Sequence, residues 1–181
     1  MEYLDRLKRW LQHWLLHQRF YRPLKMDQPL SLRTAKQILL VAAPANQSDL
    51  EAVSRFHKAL TEAGHQVTLA IVQAEASLHE FPVLDGAYVL DRHNLNWLDL
   101  PQKALHQSLT NSSYDVALNL AWPDIFLAHY LMAVSHTSFR MAFYSPAYAY
   151  IYDFMVAEPE DGSVAAGIAT FEMYLATVQK H

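Results

Sequence analysis

The sequence predicts an α/β protein: an open, mostly parallel sheet with helices on both faces, preceded by an amphipathic N-terminal helix. Three observations support this prediction. Residues Ile38–Ala43 form a continuous apolar run, which is typical of a strand buried on both faces of a parallel sheet. From residue 37 to residue 181, strand patterns alternate with helix patterns. Before residue 37, leucines and tryptophans recur at helical spacing among basic residues.

The composition excludes several classes of protein. The 181 residues include no cysteine, which excludes disulfide scaffolds, thiolate metal sites and a cysteine nucleophile. Only four residues are glycine, and neither G-x-G-x-x-G nor G-x-x-x-x-G-K-S/T occurs, so no glycine-rich phosphate loop is predicted. No apolar stretch reaches the roughly 20 residues of a membrane span, and the N-terminus lacks the features of a signal peptide. We therefore expect a cytoplasmic protein with no transmembrane segment and no cofactor.

Residues 1–22 are predicted to form a basic amphipathic helix, followed by a linker at residues 23–36. The apolar stripe of this helix comprises Leu4, Leu7, Trp10, Leu11, Trp14 and Leu15. Leu16 falls outside the stripe. Residues 1–36 contain eight basic and three acidic side chains, a net charge of +5, whereas residues 37–181 contain six basic and 15 acidic side chains, a net charge of −9.

Something must cover this stripe, and the candidates are the chain's own body, a second copy, another protein or a membrane surface. The charge difference fits either a helix packed on its own acidic body or a helix that serves a separate purpose. Both interpretations remain open. Because the linker separates the helix from the rest, we expect residues 37–181 to fold as a single domain without it.

Residues 37–72 predict a β-α-β unit. The first strand ends at Pro44, and Ser48 with Glu51 three residues later predicts a capping box at the start of a helix. The inner face of that helix comprises Leu50, Val53, Phe56 and Leu60. Gly64 is the expected C-terminal stop, and Val67–Val72 is the second strand.

The remaining elements complete a Rossmann-like domain. In chain order they are a strand at Tyr88–Leu90, a helix at Pro101–Leu109, a strand at Tyr114–Leu120, a helix from Pro123 and Asp124 to about Val134, strands at Phe139–Tyr144 and Tyr150–Val156, and a last helix after Gly162. Alternating strands and helices of this kind form an open sheet. We expect its first strand to be central, because an apolar run on both faces cannot be left at an edge.

Two segments in this region carry a resemblance. Tyr114–Leu120, followed by an apolar helix and Phe139–Tyr144, is similar to a stretch in the N-terminal half of heptosyltransferase-type glycosyltransferases. Over nearly its full length the chain resembles an uncharacterised family of small Bacteroidota proteins with a basic N-terminal helix and a Rossmann-like body. The resemblance implies the fold and no established activity. The chain is also too short for the second domain that supplies most of the nucleotide-sugar site in such transferases, so we expect no transferase activity.

Polar residues after the first and fourth strands are the candidate ligand-binding residues. Asn46 and Ser48 follow the first strand, and Asn119 and Asp124 follow the fourth. In open sheets, ligands bind at the carboxyl ends of the strands. Asp124 as a general base with His129 as its partner is the enzyme interpretation. We favour the structural alternative, because Ser48 and Asp124 are ordinary residues for a helix start and a spacing of five places Asp124 and His129 on different helix faces.

Two further patterns have structural interpretations. His13 and His17 are spaced as two ligands of one metal ion, but no third ligand is evident, so no metal site is predicted. Four aromatic residues alternate with other side chains as on one face of a strand: Tyr148, Tyr150, Tyr152 and Phe154. We expect that strand to pack against a helix.

Three functions are compatible with the sequence, and no catalytic residue is predicted. The favoured one is a non-enzymatic accessory or adaptor protein that binds a protein partner, or a second copy, through the N-terminal helix. Its predicted interaction residues are Arg6, Leu7, Arg9, Trp10, Leu11 and Trp14. The alternatives are an RNA- or anionic-surface-binding protein that uses the same basic helix, and a small enzyme with a cleft at the strand C-termini. Salt distinguishes the first two, because phosphate contacts weaken steeply with salt and burial of tryptophan does not.

Overall fold

The structure, a computed structural model, describes residues 2–20, 34–73, 86–103, 107, 109 and 111–177. The strands are β1 (Gln37–Ala42), β2 (Gln66–Val72), β3 (Tyr88–Leu90), β4 (Ser113–Asn119), β5 (His136–Phe143) and β6 (Phe154–Val156). The helices with defined bounds are α1 (Glu2–Phe20), α2 (Gln47–Glu62), α3 (Phe126–Val134) and α4 (Val164–Thr177).

The six strands form one parallel sheet in the order β3-β2-β1-β4-β5-β6. β1 lies between β2 and β4, with Leu40 in register with Leu69 on one side and with Leu118 on the other. The predicted Rossmann-like sheet with a central first strand is confirmed. From β1 the chain adds β2 and β3 on one side, and from β4 it adds β5 and β6 on the other side. The carboxyl ends of β1 and β4 therefore border the crevice where open sheets bind ligands.

Side chains of β1 alternate between two apolar layers. Ile38 and Leu40 belong to the layer that α2 and α4 cover. Leu39 and Val41 belong to the opposite layer, which α3 and α1 cover. A parallel sheet needs cover on both faces, because its strands are apolar on both faces. The N-terminal helix therefore forms part of one of the two covering layers.

The start of α2 differs from the prediction, whereas its end agrees. The N-cap is Asn46, whose side-chain oxygen accepts a hydrogen bond from the Asp49 amide at 2.9 Å, and α2 begins at Gln47. The predicted cap, Ser48, is an exposed residue of the first turn. Asparagine and serine are equally suitable N-cap residues, and here the helix begins after the first of the two, Asn46. Gly64 has a φ of +94° just after the helix, as its predicted stop requires.

The predicted strand with one aromatic face is wrong. Pro146–Tyr148 forms a 3-10 turn, and only Phe154–Val156 is a strand. Pro146 has no backbone N–H to donate to a neighbouring strand, and its fixed φ suits the first position of such a turn. The helix predicted from Pro123 begins three residues later, at Phe126, because residues 122–125 form a turn.

Two predicted segments lie partly outside the described residues. Of the helix predicted at residues 101–109, positions 103, 107 and 109 are helical, and 104–106 and 108 are not described. Of the linker predicted at residues 23–36, only residues 34–36 are described.

α1 packs on the body with a side that the sequence did not predict. Leu16 is 0% exposed, and Gln12 is 3% exposed. The Gln12 amide donates to the Leu98 carbonyl and to the Asp99 carboxylate, both at 3.0 Å, and Lys8 Nζ bonds to the same carboxylate at 2.8 Å. Lys8, Gln12 and Leu16 are spaced four residues apart and therefore form one side of the helix, the inner face.

The predicted apolar stripe is not the buried face of α1. Trp10 is 60% exposed, Trp14 is 48% exposed and Leu7 is 42% exposed. Leu16, which does not fit the stripe, is the most buried described side chain of the helix. Of the possible covers for the helix, the chain's own body covers the inner face and leaves the tryptophans accessible. Among the described residues, no helix combines the length and apolar character needed to cross a membrane.

Replacing Leu16 with alanine tests whether α1 belongs to the core. Leu16→Ala should lower the free energy of unfolding by about 3 kcal/mol, because it removes a fully buried side chain and leaves a cavity. Leu7→Ala, on the exposed side of the same helix, should change it by less than about 0.5 kcal/mol. Urea denaturation of the full chain measures both. Equal stability of the two variants would contradict the packing described. A lower stability of Leu16→Ala than of Leu7→Ala would instead argue against the expectation that the body folds without residues 1–22.

Candidate functional site

A cavity of about 580 Å³ lies at the carboxyl ends of the strands, beneath α1. The body contributes Val72 and Gln73 after β2, Arg92, Leu95 and Asp99 after β3, residues 123–127 after β4, and Ser145, Ala147 and Tyr148 after β5. α1 contributes Lys8, Arg9, Gln12 and His13. We call this the α1 cavity. Its position is where open α/β sheets bind ligands, and its volume is in the range of small-molecule sites.

Tyr148 links α1 to the wall of the α1 cavity. Its ring is stacked between His13 of α1, at 4.8 Å between centroids, and His129 of α3, at 3.7 Å. The Tyr148 hydroxyl is hydrogen-bonded to His13 Nε2 at 3.2 Å. Burial lowers the pKa of His13 and raises the pKa of Tyr148 to about 12. Both groups are therefore neutral at pH 7, and α1 is held here without an ion pair.

A closed chain of hydrogen bonds lies behind this stack. His129 Nε2 is 3.0 Å from the Pro123 carbonyl oxygen, which only accepts, so Nε2 carries the proton. Nδ1 therefore accepts from the Tyr152 hydroxyl at 2.6 Å, and that hydroxyl accepts from the Asn119 amide at 2.8 Å. The Asn119 side-chain oxygen accepts from the Ala121 amide. Each of these polar groups thus has a hydrogen-bond partner within the protein. Burial lowers the pKa of His129 to about 4.

The predicted site residues fall in three places. Asn46 and Ser48 lie at the start of α2, Asn119 is buried with its amide bonded to Tyr152, and Asp124 is exposed and lines the α1 cavity. Of the four predicted ligand-binding residues, Asp124 is therefore the one found in the described lining of the α1 cavity. His129 bonds to Tyr152 and Pro123, so the structure does not pair it with Asp124.

Sequence reasoning missed most of the described polar lining. Gln12, Gln73 and Arg92 lie in three separate segments that only the fold brings together. Each is a residue type that is common on protein surfaces, and no motif or spacing in the sequence around it indicates a binding site. The spacing of His13 and His17 suggests a pair of metal ligands, but in the structure His13 stacks on Tyr148 and His17 contacts Tyr150. Among the described residues, no three His, Asp or Glu side chains are grouped to hold a metal ion.

The first strand-to-helix turn carries an internal carboxylate. The buried Asp49 side chain accepts hydrogen bonds from the Ala45 amide at 3.2 Å and from the Asn46 side chain at 3.1 Å. In dinucleotide-binding sheets this turn holds the pyrophosphate through backbone amides and a helix N-terminus. Here the Asp49 carboxylate already occupies the Ala45 backbone amide of this turn and repels a second anion.

We accordingly predict no measurable binding of ATP, GTP or NAD. The reason is the Asp49 carboxylate at the turn together with the missing glycine-rich loop. Titration calorimetry of the full chain should give heats equal to those of dilution. Micromolar binding of any of the three would contradict this prediction.

Burial of His129 predicts an acid-sensitive stability. The unfolded chain takes up the proton near pH 6.5 and the folded chain only near pH 4, so stability is lost as the pH falls between these values. From pH 7 to pH 4 the free energy of unfolding should fall by about 3 kcal/mol on account of His129. The backbone amides of Gln37 and Lys36 hold the pKa of Asp115 below its usual value, so that carboxylate titrates below this range.

Denaturation at several pH values in His129→Gln checks the assignment. The variant is expected to be less stable at pH 7 but to lose most of the pH dependence between 6.5 and 4. An unchanged pH profile in the variant would show that another group causes the acid sensitivity.

Comparisons with known proteins place this chain in a family. No curated protein matches the chain. Among solved structures, the E. coli heptosyltransferase WaaC with ADP matches with a TM-score of 0.47 and 12% sequence identity, over 80% of this chain and 47% of that chain. The present chain thus spans about half the length of that protein. A family model matches residues 9–178, nearly the whole chain. With the whole sheet and most of the helical residues inside the matched region, the chain belongs to the family of unknown function DUF6913.

Proposed function

We propose that this chain is a non-enzymatic accessory protein that binds a partner protein through the outer face of α1. The outer face comprises Arg6, Leu7, Arg9, Trp10, Leu11 and Trp14. The observation that carries the proposal is the exposure of Trp10 and Trp14 on a helix that otherwise packs on the body. The two rings are stacked, with 6.4 Å between their centroids. Exposed apolar patches mark interaction sites, and tryptophan and arginine dominate the binding energy of interfaces.

The attachment of α1 supports this role. Leu16, Gln12 and Lys8 fix the helix on the body, and His13 adds the contact with Tyr148. The tryptophans therefore project from a helix whose position is set before any partner binds. Preorganisation of this kind reduces the entropy lost on association.

A groove beside the tryptophans indicates what the partner presents. It has a volume of about 240 Å³ and lies between Trp10 and Trp14 of α1 and Ala147 and Tyr150 of the body. The Tyr150 hydroxyl is buried and forms no hydrogen bond with a described residue. An apolar side chain with a nearby polar group fits the groove, and acidic residues beside it would complement the arginines of the outer face.

Charge distribution favours a protein partner over RNA or an anionic surface. Of the three basic residues at positions 6–9, Lys8 belongs to the inner face and is paired with Asp99. The outer face thus presents two arginines beside two tryptophans and two leucines, and one of the arginines, Arg9, also lines the α1 cavity. Nucleic-acid interfaces depend on many phosphate contacts, which so few cations supply poorly.

Replacing both tryptophans tests the proposal. Trp10→Ala/Trp14→Ala should lower partner affinity at least about 10-fold, while Trp97→Ala, which removes a 70% exposed tryptophan from another loop, should leave it unchanged. All three side chains are accessible, so the free energy of unfolding should change little. Affinity capture with quantitative mass spectrometry, at low and high salt, and light scattering for self-association provide the measurements.

A partner retained by the wild type and by Trp97→Ala at high salt, and lost by the double variant, supports the proposal. Equal capture by the double variant would contradict it. Recovery of RNA that is released at high salt would instead support the nucleic-acid alternative.

A further inference from the structure

Unpaired charges of both signs line the α1 cavity. Arg9 comes from α1 and Arg92 from the 3-10 turn after β3, and both side chains belong to exposed residues that also line the cavity. Neither guanidinium forms an ion pair or hydrogen bond with a described residue, and the same holds for the Asp124 carboxylate. Lys8 and Asp99 also line the cavity but neutralise each other.

A buried acceptor adds to this arrangement. Oε1 of Gln73, directly after β2, is enclosed and accepts no hydrogen bond from a described residue. An enclosed polar atom without a partner costs stability, so such atoms are normally satisfied by a ligand or a bound water. Gln73 is one of the residues that line the cavity, so this acceptor belongs to its wall.

The remaining described lining is largely apolar. Val72, Leu95, Ile125, Phe126 and Leu127 contribute to it. Small-molecule sites combine such walls with a few polar groups that set the orientation of the ligand. Inorganic ions alone would leave this apolar surface and the Gln73 acceptor unused.

From these groups we infer that the α1 cavity binds a small organic oxyanion, a carboxylate or a phosphate monoester, that also carries hydroxyl or ammonium donors. Arg9 and Arg92 hold the oxyanion, since the guanidinium fork matches both kinds of anionic group. Gln73 and Asp124 accept hydrogen bonds from the donors, and the apolar wall packs against the carbon skeleton. This binding function is additional to the docking of a partner at Trp10 and Trp14, and Arg9 borders both surfaces.

Thermal unfolding of the full chain with matched probes tests the inference. The probes are 3-phosphoglycerate, O-phosphoserine, glycerate, serine and inorganic phosphate, each compared with sodium chloride at equal ionic strength. We expect saturable stabilisation, of about 3 °C at 10 mM, by at least one organic probe and a smaller effect of inorganic phosphate. Stabilisation by the phosphorylated pair alone identifies a phosphate monoester, and stabilisation by glycerate or serine identifies a carboxylate.

Two variants and a control locate the binding. Arg92→Gln should weaken the effective probe at least about 10-fold, whereas Arg55→Gln, an exposed arginine on α2, should bind it as the wild type does. Gln73→Leu should weaken the organic probe and leave the response to inorganic phosphate unchanged, because only the organic probe uses this acceptor.

Either of two results would overturn the inference. One is the absence of saturable stabilisation by every organic probe beyond the effect of sodium chloride. The other is binding by Arg92→Gln that equals binding by the wild type and Arg55→Gln. Neither variant alters the outer face of α1, so these results are independent of the partner-binding experiment.

Discussion

A parallel sheet must be covered on both faces, and in this chain the first helix supplies part of that cover. β1 is buried throughout its apolar length and divides its side chains between two layers. α2 and α4 close one layer, whereas α3 closes the other with Leu16 of α1 beside it. The N-terminal helix, which its basic charge sets apart in the sequence, is therefore bound to the body by the same hydrophobic effect that assembles the sheet.

The polar contacts of α1 then define the space beneath it. Asp99, in the left-handed region with a φ of 55°, receives both Lys8 and Gln12, and Tyr148 receives His13. These contacts place the helix across the loops that follow β3 and β5, so the carboxyl ends of the strands face a cavity that α1 partly covers. The neutral chain from Asn119 to His129 stabilises the wall and offers no free proton acceptor for catalysis.

Local patterns predicted the sheet better than they predicted the surfaces. β1 and the inner face of α2 could be predicted because apolar periodicity alone determines which residues such elements bury. The inner face of α1 could not, because Gln12 is buried through hydrogen bonds to Leu98 and Asp99, some 86 positions away in the chain. A scale of side-chain hydrophobicity places that glutamine in water. The candidate site follows the same rule: Asp124 could be suggested from its place after a strand, whereas Arg9 and Arg92 converge only in the folded chain.

The two sides of α1 belong to one short, continuous helix. Gln12 and His13 border the cavity, and the exposed Trp10 and Trp14 lie within one helical turn of them. A molecule that shifts the position of the helix from one side would therefore also act on the other side. Thermodynamic linkage makes that effect reciprocal: if an occupant of the cavity strengthens a contact at the tryptophans by some factor, the contact strengthens the occupant by the same factor.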